Sequence, residues 1–227
     1  MASETHVSNR TLVETPRLFP LIRHFSRRVT PLLLRWPISA TQITLVGTAF
    51  GLAAACCVWI GGPIASLVGA YLFFVCYVLD NCDGEVARAR KTASIRGERI
   101  DHLGDWLVHA AFFLALGASH ARQSGEEIWV WAGAMAALGG TLNFLICSLR
   151  EGDTEERVAT PAALPGRPDW RRTAIYGLRT LAKADFCFLV LLLALLDQLW
   201  LLLPAAAIGA QVFWMTAFHR DAPKFHV

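Results

Sequence analysis

Apolar residues occur along this chain in six blocks that carry almost no charge. Most of the blocks approach the roughly 17–25 residues that cross the hydrocarbon core of a bilayer. The blocks cover residues 43–60, 64–79, 103–119, 128–149, 185–196 and 199–218. This pattern predicts an all-α, polytopic membrane protein with six transmembrane helices. Polar turns are expected to complete the shorter blocks, and Asp197 and Gln198 separate the last two.

A second periodicity precedes the first block. Apolar residues recur every three or four positions from Leu18 to Leu33, and arginines fall between them. This spacing predicts an amphipathic helix that is too charged to span and lies on the membrane surface beside anionic headgroups. We therefore divide the chain into a disordered N-terminus (1–15), an interfacial helix (16–36), a six-helix transmembrane domain (37–220) and a C-terminal tail (221–227).

Composition and charge support a membrane protein and predict its orientation. The chain is 55% hydrophobic and 17% charged, whereas an average soluble domain is about 45–50% apolar and about 25% charged. Of its 21 lysines and arginines, all except Arg122 fall on one side of a six-span layout. The positive-inside rule places that side, with both termini, in the cytoplasm. The net charge of +3 is too small to indicate nucleic-acid binding.

Four aspartates stand at the cytoplasmic ends of the second and third predicted spans. Asp80 and Asp83 are three positions apart, and Asp101 and Asp105 are four apart, so each pair projects from one face of its helix. Because a short loop joins these helices, the pairs can converge. Clustered carboxylates near a low-dielectric region need a compensating cation. Oxygen ligands favour Mg²⁺, Mn²⁺ or Ca²⁺, and two such ions would hold a pyrophosphate during an in-line displacement.

Small residues and one arginine surround these aspartates. Gly84 lies one turn after Asp80, Ala87 lies one turn after Asp83, and Gly97 precedes the second pair. Their small size leaves room for a bulky polar ligand. The guanidinium of Arg88 suits either a phosphate or an aspartate, and the sequence leaves both roles open.

The spacing of these residues, D-x2-D-G-x2-A-R-x8-G-x3-D-x3-D, resembles the signature of the CDP-alcohol phosphotransferase (CDP-alcohol phosphatidyltransferase) family. All eight defined positions are present. The six-span layout, the leading amphipathic helix and the chain length also resemble that family. The resemblance implies that a CDP-linked donor, usually CDP-diacylglycerol, transfers its phosphatidyl group to an alcohol and releases CMP. It also implies a homodimer.

The resemblance further implies roles for individual residues. Asp80, Asp83 and Asp101 would bind two divalent cations, Mg²⁺ or Mn²⁺. Asp105 would bind the second cation and act as the general base on the acceptor hydroxyl. The donor site would be formed by Asp80, Gly84, Ala87, Arg88 and Gly97.

The acceptor site is less well marked. A phosphorylated alcohol needs fixed positive charge, and the candidates at the cytoplasmic ends of spans four and five are Arg150, Arg172, Arg179 and Lys183. The positive-inside distribution explains these residues equally well. The stretch from Asp80 to Arg88 resembles family members that use inositol or inositol phosphate somewhat more than those that use glycerol phosphate. Asp185, a further carboxylate at membrane depth, is expected to pair with Lys183 or Arg88.

Two other functions use aspartates in membranes. A divalent-cation transporter would place them near mid-membrane, and a membrane prenyltransferase would separate its two aspartate motifs widely; both expectations fit this chain less well. Near the motif, Glu85 is expected to face a basic residue or solvent, and His109 to orient Asp105 or to fill the interior. Because no organellar targeting signal is visible, we expect a prokaryotic plasma membrane.

Overall fold

The computed structural model describes residues 20–150 and 185–220, and within these ranges the regular structure is entirely helical. The all-α class is therefore confirmed for the described part of the chain. In chain order, the elements are α1 (Ile22–Leu33), α2 (Ala40–Ile60), α3 (Pro63–Ala89), α4 (Ile95–Ser124), α5 (Ile128–Arg150), α6 (Phe186–Leu195), a 3₁₀ turn (Leu199–Leu201) and α7 (Leu202–Arg220).

Three described helices are long and apolar enough to cross a membrane: α2, α3 and the Ile128–Ile146 part of α5. Helix α4 has 30 residues but carries more charge. The 10 residues of α6 extend about 15 Å, against about 30 Å for the hydrocarbon core. The segment before α6 lies outside the described residues. These lengths show an integral membrane protein, whereas the six-span layout and its orientation stay predictions.

Two breaks between the predicted apolar blocks, the one between blocks 43–60 and 64–79 and the one at Asp197 and Gln198, are confirmed. Gly61 and Gly62 have φ angles of 82° and 84°, a conformation that glycine adopts without steric cost. Pro63 follows as the first residue of α3, where its missing N–H breaks no helical hydrogen bond. Asp197, with a φ of 55°, ends the α6 region just before the 3₁₀ turn. Local sequence signals therefore position both turns.

Helix α2 is central to the packing because it contacts both α3 and α4, while α5 packs between α4 and α7. Glycines allow neighbouring helices to approach closely. A Cβ on Gly51 would lie 2.5 Å from the Val108 side chain and 3.0 Å from the Cys76 sulfur. A Cβ on Gly133 would lie 2.5 Å from the Phe113 carbonyl oxygen. These contacts leave no room for larger residues.

Aromatic side chains fill the space where α3, α4 and α6 meet. Phe73 and Phe112 are fully buried, and their ring centroids lie 4.7 Å apart. Phe186 contacts Phe73 with a centroid distance of 6.1 Å. Such ring pairs add to the stabilisation that comes from burying apolar surface. This cluster fixes the spacing of α3 and α4 on the side of the bundle away from the ends that carry the aspartates.

Helix α1 lies within the predicted interfacial segment, but its buried face differs from the apolar stripe. The residues it buries are Ile22, Ser26 and Thr30. Leu32, part of the predicted stripe, is 54% exposed. The hydroxyl side chains face the protein because α1 packs against polar positions of α3.

We expect Gly133→Ala to lower the stability of the folded protein. Its added methyl group would meet the Phe113 carbonyl, and overpacking of this kind costs about 1–3 kcal/mol. Gly140 lies on the same helix, and a Cβ there has no heavy atom within 4 Å. Thermal unfolding of both variants in detergent checks the prediction. A Gly140→Ala variant that loses as much stability as Gly133→Ala would contradict it.

Candidate active site

The ends of three helices meet at one end of the bundle, where α2 begins, α3 ends and α4 begins. Ser39 caps α2 by accepting a hydrogen bond of 3.2 Å from the Gln42 backbone N–H. Ser94 caps α4 by accepting one of 3.1 Å from the Gly97 backbone N–H. Side-chain caps satisfy N–H groups that the helix itself leaves unpaired. The two caps stabilise the first turns of α2 and α4 beside the last turns of α3.

The predicted convergence of carboxylates is confirmed for three of the four aspartates. Ligand oxygens of Asp80, Asp83 and Asp101 lie within 4.8 Å of one another. Asp83 is 5% exposed, so water screens it poorly. Two unit charges 4 Å apart repel by about 4 kcal/mol at an effective dielectric constant of 20. Asp105 lies one turn after Asp101 on α4, outside this group of three, and is exposed.

The donor set fits a divalent cation. Asp101 Oδ1 is buried, and no hydrogen bond reaches it from the residues that the structure describes. A buried acceptor without a partner is costly, and a cation bound by all three carboxylates would compensate it. Carboxylate oxygens are hard ligands that suit Mg²⁺ and Mn²⁺. The cluster therefore has the chemistry of a cation site, although the metal's identity is not fixed by it.

Thr44 of α2 holds one of these aspartates. Its hydroxyl donates a hydrogen bond of 2.5 Å to Asp83 Oδ2, and both side chains are buried. The sequence reasoning missed Thr44, because isolated threonines inside an apolar block, here Thr44 and Thr48, suggest ordinary packing. A signal was present: Thr44 lies near the start of α2, at the end of the bundle where the aspartates gather.

The residues predicted for the donor site lie around the same helix ends. A Cβ on Gly84 would be 3.2 Å from Arg88 Nη1, so the guanidinium of this exposed arginine lies over Gly84. Ala87 is half-buried on the same turn of α3. Gly97 is in the first turn of α4, next to its Ser94 cap. Their contacts with a donor stay predictions.

His109 is bound to the main chain rather than to the carboxylate of Asp105. Its Nδ1 lies 2.7 Å from the Asp105 carbonyl oxygen, and its Nε2 lies 2.8 Å from the Tyr77 hydroxyl. Because a carbonyl can only accept, Nδ1 carries a proton and donates. Nε2 is then free to accept from Tyr77. His109 thus links α3 to α4 beneath the aspartates.

Two predictions about charged groups have different outcomes. Asp185 is fully buried, and its oxygens accept hydrogen bonds of 2.9 Å from the backbone N–H groups of Leu21 and Ile22. The expected pairing with Arg88 is therefore wrong, because the carboxylate binds the start of α1 instead. The candidate acceptor residues are untested. The side chain of Arg150 and all of Arg172, Arg179 and Lys183 lie outside the described residues.

Comparison with known proteins identifies the family. The CDP-alcohol phosphatidyltransferase family model matches residues 38–218, which is most of the chain. The chain belongs to this family. The bifunctional IPC transferase and DIPP synthase of Thermococcus kodakarensis is 29% identical over 155 residues, covering 66% of this chain and 34% of that protein. The chain thus matches about a third of the length of that curated relative.

Solved structures support the fold of a CDP-alcohol phosphatidyltransferase. The apo crystal structure of phosphatidylinositol phosphate synthase from Mycobacterium tuberculosis is 22% identical, with a TM-score of 0.58, and covers 88% of this chain and 99% of that one. The structure of the same enzyme with CDP-DAG bound has a TM-score of 0.58 and 20% identity, and covers 90% and 98% of the two chains. At these identities the likeness shows the fold.

We expect Thr44→Val to weaken cation binding about tenfold, because changes to groups that orient metal ligands typically cost 10–100-fold in affinity. Valine has a similar shape but cannot donate to Asp83. The measurement is the Mg²⁺ concentration that gives half of the metal-dependent rise in unfolding temperature. Thr44→Ser, which keeps the hydroxyl, should behave like the unmodified protein. Equal Mg²⁺ dependence of all three proteins would contradict the role of Thr44.

Proposed function

We propose that this protein transfers a phosphatidyl group from CDP-diacylglycerol, or another CDP-linked donor, to the hydroxyl of a small alcohol and releases CMP. The observation that carries the proposal is the convergence of Asp80, Asp83 and Asp101 within the eight-position motif. Membership of the CDP-alcohol phosphatidyltransferase family supports it independently. Cation transport and prenyl transfer gain no comparable support, since the two aspartate pairs are adjacent at one end of the bundle.

In the proposed reaction, the chain's residues bind charge and move one proton. Asp80, Asp83 and Asp101, together with Asp105, would hold two divalent cations. When bound, these cations neutralise the diphosphate and stabilise the attacking and leaving oxygens. The Asp105 carboxylate takes the proton of the acceptor hydroxyl, whose oxygen bonds to the phosphorus nearest the lipid. The bond from that phosphorus to the CMP oxygen breaks. The exposure of Asp105 supports this role, because a base must reach the substrate hydroxyl.

The donor and acceptor would occupy neighbouring parts of this end of the bundle. We assign Gly84, Ala87 and Gly97 to the surroundings of the cytidine diphosphate, and Arg88 to a donor phosphate. The exposure of the Arg88 side chain supports this assignment. Residues of the acceptor site are proposed to be Arg150, Arg172, Arg179 and Lys183.

We further propose inositol phosphate or inositol as the acceptor. The structural neighbour from Mycobacterium tuberculosis is a phosphatidylinositol phosphate synthase, and the motif sequence Asp80 to Arg88 resembles such members. The cluster of basic residues between spans four and five suits a phosphorylated alcohol.

The proposed setting is a prokaryotic plasma membrane, with a homodimer whose active sites face the cytoplasm. Six spans place both termini on that side. The distribution of lysine and arginine supports this orientation. In this orientation the charged donor headgroup lies on the side of the membrane where soluble alcohols are available.

The first test is CMP release by the purified protein with CDP-diacylglycerol and Mg²⁺ or Mn²⁺. Acceptors to be compared are inositol, inositol phosphate, glycerol phosphate and serine, with a reaction that has no acceptor. We expect release that depends on inositol phosphate or inositol and is abolished by a chelator. CMP release that occurs only with glycerol phosphate as acceptor would contradict the proposed acceptor. Release that a chelator does not reduce would contradict the metal-dependent mechanism.

Asparagine substitutions separate the proposed roles of two aspartates. Asp105→Asn should reduce CMP release by about 10²-fold or more, the usual contribution of a general base, while donor binding is largely kept. Asp80→Asn should weaken cation and donor binding together. Turnover and binding of a CDP-linked donor are measured for each variant.

The matched control for these substitutions is Asp197→Asn. Asp197 is exposed in the turn after α6, and asparagine tolerates its φ of 55°. This variant should match the unmodified protein in both assays. Unchanged turnover in Asp105→Asn would remove Asp105 as the base.

A further inference from the structure

Helix α1 is fastened to the rest of the protein at both of its ends. At its start, Asp185 accepts hydrogen bonds from the backbone of Leu21 and Ile22. After its end, the guanidinium of Arg90 donates to the carbonyl oxygens of Trp36, at 2.6 Å, and of Ile38. Arg90 directly follows the last residue of α3. A helix that served only as a lipid anchor would need none of these polar contacts.

The middle of α1 is bound to α3 by a carboxylate. Ser26 Oγ donates to Glu85 Oε1 at 2.8 Å, and Thr30 Oγ1 donates to Glu85 Oε2 at 2.5 Å. Ser26 is 0% exposed and Thr30 is 7% exposed, so water competes poorly for these bonds. Ionised carboxylates form stronger hydrogen bonds than neutral acceptors. The Cys82 thiol also lies 3.7 Å from the Ser26 carbonyl oxygen.

Glu85 is two positions after Asp83, which places the two side chains roughly 200° apart around α3. Asp83 is bound on one side by Thr44 of α2. Glu85 is bound on the opposite side by the hydroxyl pair of α1. The turn that carries the metal-binding aspartates is therefore held between two helices by hydrogen bonds.

We propose that Glu85 is a positioning residue for the metal site. By binding Ser26 and Thr30, it fixes the rotation and translation of the last turns of α3, and with them Asp80 and Asp83. Without it, the last turns of α3 lose the hydrogen bonds from Ser26 and Thr30, and the carboxylates can move apart under their mutual repulsion. The inference deepens the proposed function, because it assigns the α1 contacts to the site of that reaction.

The test compares Mn²⁺ binding, measured by electron paramagnetic resonance, among variants of the full chain in lipid nanodiscs. We expect Glu85→Ala to raise the Mn²⁺ dissociation constant about tenfold, as for other groups that support metal ligands. The double variant Ser26→Ala/Thr30→Val should give a similar rise. Combining all three substitutions should add little further, because they remove one shared interaction.

Two control variants exclude general effects. Glu127→Ala removes an exposed carboxylate beside α5 and should leave Mn²⁺ binding unchanged. Thr30→Ser keeps the hydroxyl that donates to Glu85 and should bind Mn²⁺ like the unmodified protein. Unfolding temperatures are measured for every variant, so that binding is compared well below unfolding.

The outcomes distinguish failure of this inference from failure of the proposed function. If Glu85→Ala unfolds at a lower temperature but binds Mn²⁺ with unchanged affinity, Glu85 is purely structural and the inference is wrong. If the variants shift Mn²⁺ affinity as expected while the unmodified protein releases no CMP with any acceptor, the inference stands and the proposed function fails. Mn²⁺ binding requires no substrate, so it reports on the site in either case.

Discussion

Three carboxylates whose oxygens lie within 4.8 Å of one another repel each other, and the surrounding structure must oppose that force until a cation binds. Helix packing provides the opposition. Helix α2 contacts both helices that carry the aspartates, and Gly51 lets it approach the Val108 and Cys76 side chains closely. Farther from the aspartates, the buried aromatic rings of Phe73 and Phe112 pack against each other and keep α3 and α4 from moving relative to one another. The three carboxylates thus repel one another, and the packing of the helices that carry them keeps them in place.

Hydrogen bonds from hydroxyl groups orient the carboxylates in addition to this packing. Close packing sets the distance between helices, but it does not fix which way a carboxylate turns. The Thr44 hydroxyl orients Asp83, and the Ser26 and Thr30 hydroxyls bind Glu85 on the opposite face of α3. Metal ligands that are already oriented in this way lose little freedom when a cation binds. In this view helix α1 supports the aspartate cluster from the side opposite α2.

The motif by which the chain resembles the CDP-alcohol phosphatidyltransferase family, to which it belongs, consists of residues that are close together in sequence. The eight motif positions lie within 26 residues, Asp80 to Asp105, on two successive helices. Local spacing places each aspartate pair on one helical face, so their convergence needs only a short connection. Asp105, one turn after Asp101 on α4, is not part of the group of three, and its predicted role stays a prediction.

The sequence alone determined the helical class, the turns at Gly61 and Asp197, and the identity of three aspartates that lie together, Asp80, Asp83 and Asp101. Apolar periodicity, backbone preferences and motif spacing are local properties, so each can be read without knowing the fold. Only the tertiary structure revealed the partners of Thr44, Glu85 and Asp185. Asp185 contacts α1 across more than 160 positions, and no local pattern encodes such a contact. Which helix faces which depends on the packing of all helices together, and that packing decides where a buried polar group finds its partner.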